Sequence, residues 1–236
     1  LAFAWWLARR RSKAPHSPLK IDQIDDLIFY AAVGIVLGGR LGYALFYGAE
    51  RLAADPMWLF RVWEGGMAFH GGLLGVLVAM AVFARQRGID WSHLMDFVAP
   101  LTPMGLALGR LGNFIGQELW GRPAEVPWAM MFPNDPLGLA RHPSQLYQFA
   151  LEGVALFAIL WFVSREPRQK GLISGLFLLC YGCFRFITEF FRQPDSQLGF
   201  IAFDWLTMGQ LLSIPMWLGG AWLVWHALKP KAPKDA

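Results

Sequence analysis

Residues 97–123 read "FVAPLTPMGLALGRLGNFIGQELWGRP". The first half is oily enough to finish in lipid. Arg110, Asn113, Gln117 and Glu118 then arrive within nine positions, spaced by glycines. An ionisable group at membrane depth costs at least a few kcal/mol, so its default reading is a paired or functional role. The stretch therefore reads as a membrane helix whose end carries chemistry.

The rest of the chain agrees with a membrane setting. Of 236 residues, 56% are hydrophobic and 16% charged, and the mean hydropathy is +0.37. Soluble domains sit nearer a quarter charged. The 12 Trp and 25 Gly suit interfacial anchoring and close helix approach. Spanning helices need about 20 mostly apolar residues, and six segments supply them: 27–48, 66–84, 96–115, 144–163, 171–191 and 207–228. The opening "LAFAWWLARRR" reads as the end of a further, truncated helix. The expectation is an all-α polytopic membrane protein of about seven passes, one domain over 1–236, with a small extracytoplasmic cap at 116–143 between the fourth and fifth helices.

Charge sets the orientation. Arg9, Arg10, Arg11, Lys13 and Lys20, then Arg85 and Arg87, then Arg165, Arg168 and Lys170, then Lys229, Lys231 and Lys234 fall on one side if the helices alternate. The positive-inside rule makes that side cytoplasmic, with the N-terminus outside and the C-terminus inside. The other side mixes Arg51, Arg61, Arg122, Arg141 and Arg192 with Glu50, Asp55, Glu64, Glu125, Asp135 and Asp195. A net charge of +4 spread between oily segments argues for loops at a membrane and against nucleic acid. Cys180 and Cys183 make a C-x-x-C inside an apolar helix with no second ligand pair nearby, so they read as small packing residues.

Several polar groups stand out within the spans. Arg40 lies in the outer half of the second pass, where it either snorkels to the headgroups or contacts substrate. His70 in "GGMAFHGGLLG" sits near the outer end of the third, and an imidazole can take up a proton near neutral pH. Arg110 and Asn113 share a helix face, with Glu118 just past the helix end; the bland alternative is an Arg–Glu pair closing that end. Tyr181, Arg185 and Glu189 are four apart, with Arg192 three further, forming a polar stripe on an apolar helix. Glu152 has no partner within its own turn and points to a cation on a neighbouring helix. Arginines and a histidine at one depth suggest an anionic headgroup site beside a base.

"GRLGNFIGQELWGR" resembles the signature of the prolipoprotein diacylglyceryl transferases, and "FRVWEGGMAFHGGLLG", "RHPSQLYQFALEG" and "FRFITEFFRQPD" extend the resemblance over nearly the whole chain. One departure is Gly116, where the family usually has Asn. The family's N-terminal segment, with its functional tyrosine, has no counterpart here.

The resemblance implies transfer of the diacylglyceryl group of phosphatidylglycerol to the lipobox cysteine of a prolipoprotein signal peptide. The reaction forms a thioether and releases glycerol phosphate, at the outer face of the bacterial cytoplasmic (inner) membrane, with no cofactor and no metal. It also implies roles: His70 as base, Arg110 and Arg185 holding the phosphate charge, and Asn113 and Glu118 orienting Arg110 or the glycerol hydroxyls. Gly121 would allow close backbone approach, and Tyr181 and Glu189 would position Arg185. Arg40 and Arg192 are further substrate contacts, and Ser144 is a helix cap. The rival reading is a transporter or lipid-binding protein for an anionic substrate; paired repeats and helices broken near the midplane would mark a transporter, and the sequence shows no such pair.

Overall fold

The computed structural model describes residues 2–194 and 199–229. Asp195, Lys231 and Lys234, used above for orientation, lie outside the described residues. Among the described residues, five helices are long and apolar enough to cross a membrane: α2 (Gln23–Phe46), α4 (Phe69–Arg87), the run Ser144–Val163, α9 (Leu172–Glu189) and α10 (Met208–Leu228). The two other expected passes are present in part. One is the ten-residue α1 (Ala2–Arg11), ending in three arginines. The other is helical from 91 to 115 but interrupted. It comprises α5 (Trp91–Val98), a 3-10 turn (Ala99–Leu101) and α6 (Thr102–Ile115). Pro100 and Pro103 explain the interruption, since each lacks the N–H that an unbroken helix would use.

Helix ends differ from the sequence expectation for local reasons. α2 starts four residues early, because Asp25 and Asp26 sit in its first turn, where the helix dipole favours acids. α4 starts late, because Gly65 and Gly66 adopt φ +78° and +80°. It ends at the left-handed Gly88. α10 begins with a capping box: the Thr207 hydroxyl accepts the Gln210 N–H, and the Gln210 side chain accepts the Thr207 N–H.

Contacts group the chain into two compact units, Leu1–Leu94 and Met95–Ala236. In the first, α2 packs on α4 through glycines. A Cβ on Gly75 would lie 2.1 Å from the Gly34 carbonyl oxygen, so only glycine permits this crossing. A loop with the short α3 (Ala49–Ala54) joins the two helices.

In the second unit, the run from Ser144 comprises α7 (Ser144–Gln148), a π-helical stretch (Phe149–Ala155) and α8 (Leu156–Val163). Leu156 and Leu160 pack with Ala99 and Ile173 in a buried core that Cys180 also joins, in keeping with its reading as a packing residue. The α9 N-terminus is held by Asp96, which accepts from the N–H groups of Gly171 at 2.7 Å and Ser174 at 2.8 Å.

The segment 116–143 is more ordered than a loop. Strands β1 (Met130–Met131) and β2 (Ala140–Arg141) pair antiparallel, with Met130 opposite Arg141. Residues 121–124 bond to 140–142 on one side, and 120–122 reach 191–193 on the other: Gly121 N–H donates to His142 O at 3.0 Å, and Arg122 N–H to Phe191 O at 2.9 Å. Gly121 is the pinch point. A Cβ there would lie 2.4 Å from His142 O and 2.6 Å from Phe191 O, so the close approach expected of this glycine is between backbones.

Candidate active site

Glu152 organises the charged residues of the second unit. Its side chain is 0% exposed, inside the π-helical stretch. Such stretches are rare and often mark functional sites. One oxygen lies 3.6 Å from Arg110 Nη2 on α6, and the other lies 3.7 Å from Arg185 Nη1 on α9. Thr188 Oγ1 donates to that second oxygen at 2.9 Å. One carboxylate thus bridges two arginines from two helices, which meets the sequence expectation of a cross-helix partner. The pairing of Arg110 with Glu118 does not occur.

Arg185 also pairs with Glu189 one turn on, and Arg192 Nη1 approaches Glu189 at 3.4 Å. Glu189 is buried at the start of α10, where Thr207 Oγ1 donates to it at 2.7 Å. The stripe Arg185–Glu189–Arg192 therefore continues the Arg110–Glu152–Arg185 chain. Tyr181 belongs to the same helix but stacks on Phe177, rings 5.8 Å apart and nearly parallel. Its hydroxyl makes no hydrogen bond among the described residues.

The arginines are held very differently. Arg110 is 20% exposed and has the Glu152 contact alone; no hydrogen bond reaches its guanidinium among the described residues. In the first unit, Arg40 is 2% exposed and uses all five donors on backbone carbonyls: Leu59 at 3.0 Å, Trp58 at 2.6 Å, Arg61 at 3.1 Å, Gly66 at 3.4 Å and Gly65. It also lies over the Trp58 ring at 4.5 Å. In this arrangement every guanidinium donor of Arg40 is engaged with the loop, and none is turned to a headgroup or substrate. It pins the loop 58–66.

His70 belongs to the first unit, at the second position of α4, exposed and edge-on to Phe69. With Leu37, Leu41, Leu74 and Val78 it lines an apolar groove of about 680 Å³ between α2 and α4.

Asn113 and Glu118 pair with each other, Nδ2 to Oε1 at 2.6 Å, so the amide is spent on Glu118 and not on Arg110. The turn after α6 is strained: Gln117 and Leu119, neither of them glycine, sit at φ 54° and 57°. It is stapled to α7, where Ser144 Oγ donates to Leu119 O at 3.2 Å and Gln145 Nε2 to Glu118 O at 2.8 Å. Ser144 is thus a staple and not the expected cap. It lies inside the helix, and the capping position is Pro143. At Gly116, the departure from the family pattern, Asn134 Nδ2 reaches the carbonyl at 3.5 Å.

Two arginines of the 116–143 segment, Arg122 and Arg141, also tie this region together. Arg141 grips Asp135 through two bonds, at 2.6 and 3.0 Å, and reaches Gly121 O. Its hydrogen bonds hold the Asp135 carboxyl below the usual carboxylate range. Arg122 donates to the carbonyls of Arg192 and Glu189. Burial lowers its guanidinium from the ordinary value, and the charge of Glu189 opposes that. Their only sequence signal was an arginine in a Pro- and Gly-rich segment. Among the described residues no three of His, Cys, Asp or Glu gather as a metal ion would need.

The sequence profile of the family described as prolipoprotein diacylglyceryl transferase matches residues 1–226. Three relatives are named phosphatidylglycerol–prolipoprotein diacylglyceryl transferase. That of Chromohalobacter salexigens is 62% identical over 229 residues, 96% of this chain and 84% of its own. That of Azotobacter vinelandii is 58% identical, over 97% of this chain and 86% of its own. That of Pseudomonas aeruginosa is 56% identical, over 97% and 88%.

Proposed function

The chain belongs to the prolipoprotein diacylglyceryl transferase family, and from that premise we infer that it is a multi-pass membrane transferase carrying out diacylglyceryl transfer in lipoprotein biosynthesis. Its lipid donor is phosphatidylglycerol and its acceptor the lipobox cysteine of a prolipoprotein signal peptide.

The substrate thiol is a poor nucleophile until it loses its proton, and His70 takes that proton as general base. The thiolate attacks the glycerol carbon that bears the phosphate. A C–S bond forms, the C–O bond breaks, and glycerol phosphate leaves with both electrons. The phosphate passes from one negative charge toward two. Cations that meet this growing charge stabilise the transition state more than the ground state. Arg110 and Arg185 serve that role, with Glu152 and Glu189 aligning them. Asn113, Glu118 and Gly121 shape the strained segment above α6, and Arg192 extends the stripe.

The single observation that carries the assignment is Arg110. A guanidinium on α6, 20% exposed and without a hydrogen bond among the described residues, has donors to offer an anion. The saturated Arg40 does not.

The charge asymmetry of the loops supports an active site toward the outer face of the bacterial cytoplasmic membrane, with the C-terminus inside. Labelling of single cysteines from either side tests it, and a C-terminus reached from outside would reverse the orientation. For the chemistry, the full chain is incubated with phosphatidylglycerol and a lipobox peptide, and the thioether is followed by mass spectrometry. His70→Ala and Arg110→Ala each lose turnover; His70→Ala keeps the wild-type melting temperature, whereas Arg110→Ala, which breaks the pair with the buried Glu152, lowers it by roughly 5–10 °C. Full activity in both overturns the reading.

A further inference from the structure

Three side chains of the run from Ser144, at spacings of three and four, share one face: Gln145, Gln148 and Glu152. All three are fully buried. Glu152 holds the two arginines and Gln145 donates to Glu118 O, whereas neither the amide nitrogen nor the amide oxygen of Gln148 has a hydrogen-bond partner among the described residues. The Gln145 amide oxygen is likewise without one. Buried polar groups are nearly always bonded, so a side chain with both ends unmade needs an explanation. α7 packs against α6 and α9, the helices that carry Arg110 and Arg185. Gln148 stands one turn from Glu152, about 6 Å along the axis.

We propose that the Gln148 amide binds a hydroxyl of the donor lipid's headgroup glycerol and sets the preference for that headgroup. This rests on the transferase reading above. The chemistry matches on both sides. A carboxamide offers one donor face and one acceptor face, and a glycerol hydroxyl accepts and donates. An ammonium headgroup offers donors alone and leaves the amide nitrogen unbonded. A site built to bond a hydroxyl rejects the analogue that lacks it, because the buried protein group is then left unpaired.

The test compares phosphatidylglycerol with phosphatidylpropanol, which keeps the phosphodiester and lacks the hydroxyls. The full chain in detergent is given a lipobox peptide, and kcat/KM for thioether formation is measured with each lipid. Wild type is expected to favour phosphatidylglycerol by about tenfold or more. Gln148→Met, of similar shape and without an amide, brings the ratio near one, and Gln148→Glu, which retains an acceptor, preserves a preference. Gln148→Leu replaces the Met variant if that one does not fold. A ratio unchanged in the apolar variant overturns the proposal and leaves the amide with a structural water only. Equal rates in wild type overturn it too, with the transferase reading intact. No thioether from either lipid refutes that reading as well.

Discussion

Glu152→Gln removes one charge and almost no volume, and the new amide oxygen can still accept from Thr188. At an effective dielectric near 20, a unit charge pair at 3.6–3.7 Å is worth about 4–5 kcal/mol. Glu152 holds two such pairs, but the two do not add. Arg185 keeps Glu189, and the variant escapes the cost of burying a carboxylate. Arg110 has no second carboxylate partner among the described residues, so its loss dominates. Removing one member of a buried pair costs about 3–5 kcal/mol, and the partial exposure of Arg110 puts the expectation at the low end, about 3 kcal/mol. Two readouts follow. The melting temperature in detergent falls by roughly 5–10 °C, and lipid stabilises the variant less than wild type. With Arg110 holding the phosphate as proposed, its displacement lowers kcat/KM for thioether formation about 100-fold. The double variant with Arg110→Leu separates the effects: if Glu152 acts through Arg110, adding Glu152→Gln to Arg110→Leu costs little more activity. A Glu152→Gln protein with unchanged melting temperature and kcat/KM within twofold of wild type would refute the claim that this carboxylate organises the arginines.

Two further outcomes follow from residues outside that cluster. Arg40→Met strips the donor from five carbonyls; at about 3 kcal/mol, amide hydrogens of residues 58–66 exchange about 100-fold faster, and unchanged protection would show that the loop stands without Arg40. The Asp135 carboxyl is held down chiefly by its hydrogen bonds from Arg141, so its contribution is complete above the unfolded pKa and is lost as pH falls through the lower folded value. Proteolysis within 122–142 should therefore stay slow at neutral pH and accelerate only below about pH 4. Asp135→Asn should be cleaved faster at pH 7 and lose the acid step; a variant as resistant as wild type at pH 7 would count against this pairing.

Much of the architecture was legible because membrane helices announce themselves in composition and length. The five long spans come from runs of about 20 apolar residues, and lipid leaves such a run little choice but a helix that satisfies its own backbone. Helix ends were less legible. Asp25 and Asp26 extend α2, and the left-handed Gly65 and Gly66 delay α4; both are local effects weaker than hydropathy. The interruption at 99–101 had its signal in Pro100 and Pro103, which the apolar count passes over.

The site divides along the same line. Residue types and spacing by themselves determined a helical membrane protein, a polar stripe on α9 and arginines within apolar helices. These follow from which side chains lipid tolerates and from the period of one helix. Only the tertiary structure decided which arginine is open and which is spent. Arg40 and Arg110 look alike in sequence, each an arginine after glycine in an oily helix. One meets five carbonyls of a folded-back loop, while the other meets a single carboxylate from a neighbouring helix. Hydrogen-bond saturation depends on groups distant in the chain, and no local pattern carries that information.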